Sequence, residues 1–343
     1  MCYKLKTRFM KNMIAKKQKA QPFDFEAGEQ FTLQQDDDAT INNSYYFSAH
    51  SVKTKESLYV RLGIRNCHSE VWFFYSNAHD RYVLKNMLHQ DRVPLKVFRT
   101  EKGWRIQYEG ELTRGDGQAV SAEFDGEYTS NQAPVDFFGD MPPVRMAKAM
   151  AGEKWTKAFF AEVQSNNQVH YEQTGRLLGT LKIDGEVHNI DLPCVRDHSF
   201  GKRDWNYMNN HLWLMAVNET SQLNFSMVSY PAMTLLEVGN FKAANKPMAY
   251  MLEASYERSA IASGSIPESM TLTLALDNQH KIDVAVETTD EETYLFQNGD
   301  YRLIEGIAEF TIDGEKYRGI LEVGFNQDTS RFFNGKQIRK LKI

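Results

Sequence analysis

Cysteine is scarce in this chain of 343 residues, and a long hydrophobic run is missing. The three cysteines, Cys2, Cys67 and Cys194, are scattered, and no Cys-x-x-Cys pair occurs. Their number and spacing exclude a disulfide framework and favour a reducing compartment, so we expect a cytoplasmic protein. No stretch reaches the roughly 20 apolar residues that a membrane-spanning helix requires. No signal-peptide hydrophobic run is present either, so we do not expect secretion.

The motifs of nucleotide-dependent and hydrolytic enzymes are also missing. The chain has no Gly-x-x-x-x-Gly-Lys loop, no Gly-x-Gly-x-x-Gly fingerprint and no Gly-x-Ser-x-Gly elbow. Its net charge of -5 does not provide the basic footprint of a nucleic-acid-binding protein. His188, Cys194, His198 and His211 match no structural zinc spacing. The sequence therefore predicts no cofactor, no metal site and no nucleic-acid partner.

The N-terminal segment departs from this acidic average. The first 20 residues contain seven lysines and arginines and no acid. We predict that residues 1–22 form a solvated basic tail that the rest of the fold does not need. The alternative is peripheral contact with an anionic membrane, because five apolar residues could share one face of a short helix: Leu5, Phe9, Met10, Met13 and Ile14.

The body of the chain has the pattern of a mainly β protein. Short alternating runs separated by turns extend from Phe23 to about residue 141 and resume after residue 165, which indicates antiparallel barrels or sandwiches. Asp184-Gly185 suits a tight type I′ hairpin turn, and the tetrapeptide Ile-Asp-Gly-Glu recurs at Ile312–Glu315. The length favours two domains.

A helical connector separates the two β regions in this prediction. Pro142-Pro143 begins a segment whose apolar residues recur at helical spacing, with Gly152 as a break. We therefore assign residues 23–141 to an N-terminal β domain, 142–164 to the connector and 165–343 to a C-terminal β domain.

One run, Arg196–Trp205, is denser in charge than any other, and we call it the polar decapeptide. It combines two Arg-Asp pairs, a histidine, a serine and two large aromatics around Gly201. So much charge beside so much ring surface indicates a partly buried site in which the charges are paired. The alternative is an ion-pair network that locks a strand corner.

Strand alternation divides the decapeptide between two faces. Arg196 and His198 should lie on one face and Asp197 and Ser199 on the other, unless a bulge at Gly201 brings both toward one pocket. Further along, His211, Trp213, Met215 and Val217 should share one strand face, with Tyr207 just before it. Glu305 and Glu322 lie on late strands, where they are candidate partners for the arginines or simply exposed carboxylates.

These motifs resemble those of a tandem lipocalin-like superfamily that includes carotenoid 1,2-hydratases, AttH-type proteins and lipocalin-like Diels–Alderases. The residues that carry the resemblance are His170-Tyr171-Glu172-Gln173, Gly179, Asp184-Gly185, Arg196–Gly201 and Arg203–Trp205. The Arg-Asp-His-Ser-aromatic-Gly form is closest to an uncharacterised branch. The resemblance implies two calycin-type barrels with a ligand cavity at or near their junction, and chemistry on apolar, polyene-like molecules.

Two functions follow as hypotheses. The first is a cofactor-independent hydratase, cyclase or isomerase for a hydrophobic small molecule, with His198 or Asp197 as the proton donor. Arg196 and Arg203 would bind a polar substrate end or orient the carboxylates of Glu305 and Glu322. Trp205, Tyr207 and Trp213 would line the cavity and stabilise a developing cation. The alternative is a non-catalytic carrier of a lipid or pigment, in which the decapeptide is structural.

Overall fold

Two closed barrels of eight antiparallel strands make up most of the protein. The computed structural model describes residues 2–34, 40–165, 168–257 and 265–328 and the short strands at 332–333 and 336–337. Few helices accompany the barrels. The predicted fold class, mainly β with two antiparallel barrels, is confirmed. The cysteines are unpaired, as their scarcity predicted.

The first barrel closes through strands that lie far apart in sequence. Its strands are β1 (Ile41–His50), β2 (Ser57–Ile64), β3 (Ser69–Ser76), β4 (Arg81–Val83), β7 (Gly103–Arg114), β8 (Ala119–Thr129), β10 (Gln168–Ile183) and β11 (Glu186–Lys202). Three short strands pair at its edges: β5 (Leu88–His89), β6 (Leu95–Arg99) and β9 (Val135–Asp136). β10 pairs with β8 and β11, and β11 pairs with β1, which closes the ring.

This closure corrects the predicted domain boundary. Residues 168–202 were assigned to the C-terminal domain because they follow the helical segment, but β10 and β11 complete the first barrel. Strand pairing between distant segments determines the boundary here, and local composition does not reveal it. The second barrel begins at residue 210.

The second barrel is formed by consecutive strands. They are β12 (Asn210–Val217), β13 (Gln222–Ser229), β14 (Leu236–Lys242), β15 (Ala249–Tyr256), β16 (Ser269–Leu276), β17 (Lys281–Asn298), β18 (Tyr301–Ile312) and β19 (Glu315–Asn326). β19 pairs back with β12. A final hairpin of β20 (Phe332–Phe333) and β21 (Lys336–Gln337) stands apart.

The two predicted Asp-Gly turns connect the long hairpins. Asp184 and Gly185 have φ values of 48° and 88°, and Asp313 and Gly314 have 48° and 87°. Positive φ at both central residues is what a type I′ turn requires, and Asp and Gly tolerate it. These turns fix the register of β10 with β11 and of β18 with β19.

The helices lie outside the barrels. The connector contains α3 (Pro143–Ala151) and α4 (Lys157–Ser165) with a break after Gly152, as predicted. The prediction of a solvated tail is wrong, because α1 (Tyr3–Ala20) buries Met10 and Ile14 against α3. Gln18 also donates to the carbonyl of Phe138 at 2.6 Å. α2 (Phe25–Glu29) covers one end of the first barrel. No helix in the described ranges combines the length and apolarity needed to span a membrane.

A buried layer of mostly apolar residues joins the two barrels, and we call it the inter-barrel layer. The first barrel contributes outward-facing residues of β1, β2, β3 and β11, and the second contributes those of β12, β18 and β19. Its buried members are Tyr46, Tyr59, Trp72, Phe74, Val195, Trp205, Met215, Val217, Tyr301, Leu303, Ile307 and Ile320. The barrel interiors hold separate hydrophobic cores.

Candidate functional site

The polar decapeptide presents its side chains on two opposite faces of β11, as alternation predicted. Arg196 and His198 point into the first barrel, where both contact Trp104. Asp197 points outward, toward the second barrel. β11 stays in register with β1 through Gly201, so no bulge brings the two faces together. The decapeptide therefore contributes to two separate places.

Inside the first barrel, Arg196 forms a buried ion pair with Glu29 of α2. Nη1 of Arg196 donates to Oε2 of Glu29 at 3.0 Å and Nη2 donates to Oε1 at 2.5 Å. Each side chain is only 1% exposed. Bidentate pairing compensates two charges that would be costly to bury alone. This contact attaches α2 to the barrel end, so the structure favours the ion-pair-lock interpretation for Arg196.

His198 is enclosed in the same barrel. Its Nε2 lies 2.8 Å from Oδ1 of Asn43, its Nδ1 bonds the hydroxyl of Tyr171, and Tyr45 stacks on its ring at 4.3 Å. Burial, assisted by the Arg196 guanidinium, lowers the pKa of His198 to about 3. The ring is therefore neutral at physiological pH, and both of its nitrogens are engaged. The catalytic role of His198 stays a prediction.

On the outer face, Asp197 belongs to an ionic triad with His170 and Glu172. Nε2 of His170 lies 3.1 Å from Asp197 and 3.4 Å from Glu172. Burial disfavours the imidazolium, but the two carboxylates outweigh it and raise the pKa of His170 to about 10. Burial also raises the pKa of Glu172, and Asn224 of the second barrel donates to both of its oxygens at 2.7 Å.

The triad has the donor types of a metal site, which the sequence did not predict. One nitrogen and two carboxylate oxygens lie within 4.8 Å of one another, and zinc and other transition metals accept such ligands. Without a metal, a protonated His170 between Glu172 and Asp197 also balances the charges of the two carboxylates. Whether or not a metal is bound, the hydrogen bonds from Asn224 to Glu172 connect the triad to the second barrel.

Arg203 and Trp205 end the decapeptide, and Tyr207 lies two residues beyond it. Arg203 forms a cationic corner with Arg61 and Arg65. Arg203 donates to Oγ of Ser199 at 2.9 Å, and its guanidinium lies 5.1 Å from the Trp205 ring. Burial, together with Arg61, lowers the pKa of Arg203 to about 10, so it stays charged at neutral pH. Trp205 is part of the inter-barrel layer, and Tyr207 stacks on Tyr230 with 5.6 Å between ring centroids.

A pair of buried carboxyl groups is the main polar feature of the inter-barrel layer. Glu305 on β18 and Glu322 on β19 are register partners, only 0% and 6% exposed. Burial and the neighbouring Glu322 raise the pKa of Glu305 well above its usual value. Two adjacent carboxylates cannot both be ionised cheaply out of water. The raised pKa therefore favours the protonated form of Glu305 beside Glu322.

Hydrogen bonds from both barrels hold this carboxyl pair in place. Tyr46 of the first barrel donates its hydroxyl to Oε1 of Glu305 at 3.1 Å. Oε1 of Glu322 lies 2.6 Å from Nε2 of His211, and Nδ1 of His211 bonds the Tyr301 hydroxyl. The prediction that the two glutamates pair with the arginines is wrong: in the described structure they pair with each other, His211 and Tyr46.

Aromatic rings surround the carboxyl pair. Trp213 lies 5.7 Å from Tyr46, and Tyr46 lies 6.5 Å from Trp72. Trp213 is half-buried, and its indole nitrogen has no hydrogen-bond partner among the described residues. The predicted shared face of His211, Trp213 and Met215 is confirmed, because all three meet the inter-barrel layer or its polar pair. The arrangement places a buried carboxyl pair beside aromatic rings.

Sequence reasoning missed several partners of these residues. Glu29, Tyr46 and Tyr301 gave no local signal, because their contacts depend on distant strands. The pairing of Glu305 with Glu322 and of Glu172 with Asp197, in contrast, can be read from the sequence. Glu305 lies eight residues before Asp313 and Glu322 eight after Gly314, so a two-residue turn places them opposite each other. The same reasoning across Asp184-Gly185 pairs Glu172 with Asp197.

Fold and site together define a tandem-barrel protein with a buried acid at the barrel junction. Residues 30–327 match the model of a domain of unknown function, DUF7064, and the chain belongs to that family. No curated protein matches the sequence.

Solved structures with the same fold have low sequence identity to this chain. An AttH-like protein of Nitrosomonas europaea is 12% identical with a TM-score of 0.58, and the match covers 89% of this chain and 97% of that one. Kievitone hydratase of Nectria haematococca is 14% identical, with a TM-score of 0.50 and coverage of 90% and 94%. CghA is 9% identical, with a TM-score of 0.52 and coverage of 88% and 92%. At these identities the similarity shows the fold alone.

Proposed function

We propose that this protein is an acid catalyst that hydrates, cyclises or isomerises a hydrophobic small molecule between its two barrels. The observation that carries the proposal is the buried pair of Glu305 and Glu322, where burial and proximity raise the pKa of Glu305 and favour its protonated form. A carboxylic acid held neutral at physiological pH is a competent general acid. Burial also raises the pKa of Glu172 in the triad, but there His170 and Asn224 of the second barrel already hold the carboxyl group.

The chemistry begins with transfer of the Glu305 proton to an alkene carbon of the substrate. The two alkene electrons form the new C–H bond, the adjacent carbon becomes a cation, and Glu305 becomes a carboxylate. The rings of Trp213 and Tyr46, whose centroids lie 5.7 Å apart, are next to the carboxyl pair and can stabilise that cation. Water can then add and return its proton to Glu305. Alternatively, a second alkene attacks the cation, or a neighbouring C–H bond is broken, and Glu305 recovers a proton from carbon.

A proton donor must recover its proton after each reaction, and the residues that contact Glu305 support this. Glu322 accepts from Glu305, and His211 and Tyr301 continue the hydrogen-bonded chain. When Glu305 becomes an anion, the Tyr46 hydroxyl that donates to its Oε1 can stabilise the carboxylate until Glu305 recovers a proton from the product. Arg203, at the adjacent cationic corner, is positioned to bind a polar substrate end.

Access to this position is through the rim of the inter-barrel layer. Val83, Met87, Met208 and Trp213 are partly buried hydrophobic residues that pack against the layer. An apolar substrate that displaces them would meet Trp213 first and the carboxyl pair behind it. Kievitone hydratase has the same fold, which supports hydration as one reaction of this class.

The test compares three proteins on one mixture of substrates. Wild type, Glu305→Gln and His198→Gln are each incubated with an organic extract of the native host, and the extract is followed by chromatography and mass spectrometry. We expect wild type to consume an apolar compound and to form a product of equal mass or one water heavier. Glu305→Gln should slow this by about two to four orders of magnitude, the usual share of general acid catalysis.

Each variant has a defined meaning. Unchanged turnover by folded Glu305→Gln contradicts the proposal. A loss confined to His198→Gln, with normal folding, supports the predicted histidine acid in place of Glu305. Retention of a compound that comes off chemically unchanged from all three proteins supports the carrier alternative.

A further inference from the structure

Helix α1 has a second apolar face that is at least half exposed in the described structure. Met10 and Ile14 pack against α3, but Leu5, Phe9 and Met13 are 59%, 50% and 50% exposed. These three residues recur every four positions, so they form one stripe along the helix, which we call the outer face of α1. Exposed large hydrophobic residues gathered on one element mark an interaction surface.

The charge of α1 indicates what this surface binds. The helix carries seven lysines and arginines and no acid. Among the described residues, none of the seven forms an ion pair, although Lys6 donates to the carbonyl of Glu153 at 2.5 Å. Six of them are exposed: Lys4, Arg8, Lys11, Lys16, Lys17 and Lys19. Uncompensated positive charge on both sides of an apolar stripe is complementary to an anionic lipid surface.

The loop between α3 and α4 extends this surface. Trp155 is half-buried, its ring lies 6.0 Å from Phe9, and Nζ of Lys6 lies 4.9 Å from the same ring. Lys154 and Lys157 beside it are exposed. The indole N–H of Trp155 donates to the carbonyl of Met150 at 2.9 Å, and indole rings favour the headgroup level of a bilayer.

We propose that α1 and Trp155 dock the protein onto the surface of a membrane that contains anionic lipid. Leu5, Phe9 and Met13 enter the acyl boundary, and the flanking lysines and Arg8 contact the headgroups. The buried face of α1 already holds the helix in place, so docking does not require a disordered segment to fold. A stripe of Leu, Phe and Met favours lipid over nucleic acid, which would need only the charges. Docking does not depend on the proposed function.

The experiment measures sedimentation of the full chain with vesicles. Vesicles of phosphatidylcholine with phosphatidylserine should bind wild type, and vesicles of phosphatidylcholine alone should bind it at least about tenfold more weakly. The variant Leu5→Gln/Phe9→Gln/Met13→Gln should lose at least about tenfold in binding. Its melting temperature should fall only slightly, because the three side chains are at least half exposed and only the contact of Phe9 with Trp155 is lost. Leu178→Gln, at a 46% exposed leucine on β10, is the matched control and should bind like wild type.

A second variant keeps the test decisive if the triple variant folds poorly. Lys4→Gln/Arg8→Gln/Lys11→Gln should weaken binding to anionic vesicles by about fivefold per charge removed. Absence of wild-type binding to anionic vesicles overturns the proposal, as does full binding by both variants. A dimer that the triple variant dissociates, without vesicle binding, shows that the face is a protein interface and also overturns it.

Discussion

The variant Glu305→Gln tests whether a protonated carboxyl lies between the barrels. Burial and Glu322 raise the pKa of Glu305 in the folded protein, whereas an unfolded glutamate titrates near 4.3. Above that pH the folded state holds a proton that the unfolded state has released. The stability that Glu305 contributes is therefore fully present at low pH and is lost as the pH rises through its raised pKa.

The size of this effect follows from one proton. Between about pH 4.3 and the raised pKa, the wild-type free energy of unfolding should fall by about 1.4 kcal/mol per pH unit because of this group. Glu305→Gln removes that slope, and its amide can still donate to Glu322. The free energy of unfolding of the variant, relative to wild type, should therefore increase steadily with pH.

Urea unfolding between pH 5 and pH 8 measures this difference. Glu123→Gln is the matched control, because Glu123 is a strand glutamate whose side chain is 67% exposed, and its curve should run parallel to wild type. Parallel curves for wild type and Glu305→Gln would show that Glu305 is ionised in the fold, and would refute the acid assignment.

Three further predictions concern buried contacts. Arg196→Met leaves the Glu29 carboxylate buried without its partner and should lower the free energy of unfolding in urea by about 3–5 kcal/mol. Arg99→Met, which breaks the exposed pair with Glu26, should cost far less. Equal losses would show that the Arg196–Glu29 pair does not hold α2 on the barrel. The pKa of His198 is lowered to about 3, so the stability that neutral His198 contributes is lost as the pH falls below about 6.5. In His198→Gln, the free energy of unfolding should depend on pH less steeply below pH 6.5, by about 1.4 kcal/mol per pH unit. An unaltered slope would mean that His198 is charged in the folded protein. Met10→Ala and Ile14→Ala should each destabilise the protein by about 2 kcal/mol, and Met13→Ala should not; a neutral effect of the first two would restore the dispensable-tail prediction.

Local sequence signals predicted the parts of the fold that depend on neighbouring residues. The Asp-Gly turns at Asp184 and Asp313 require only two residues with positive φ, and the break after Gly152 requires only a poor helix former. The alternation along β11 also follows from strand geometry. These features are correct because no distant contact is needed to produce them.

The features that sequence reasoning missed depend on contacts between distant segments. β10 and β11 belong to the first barrel because β1 and β8 lack other partners for closure. Arg196 finds Glu29 across 167 positions, and Tyr46 reaches Glu305 across 259. No periodicity encodes such pairs, so the predicted site centred on His198, whereas our proposal from the structure centres on Glu305.

The most direct test of the inter-barrel acid is native mass spectrometry of wild type and Glu305→Gln, each purified from the protein's own host. Our account predicts that the variant retains an apolar molecule that wild type has already converted. Addition of fresh wild type should then turn the extracted molecule into a product of equal mass or one water heavier. Recovery of the same unaltered molecule from both proteins, with no conversion by wild type, would contradict the account.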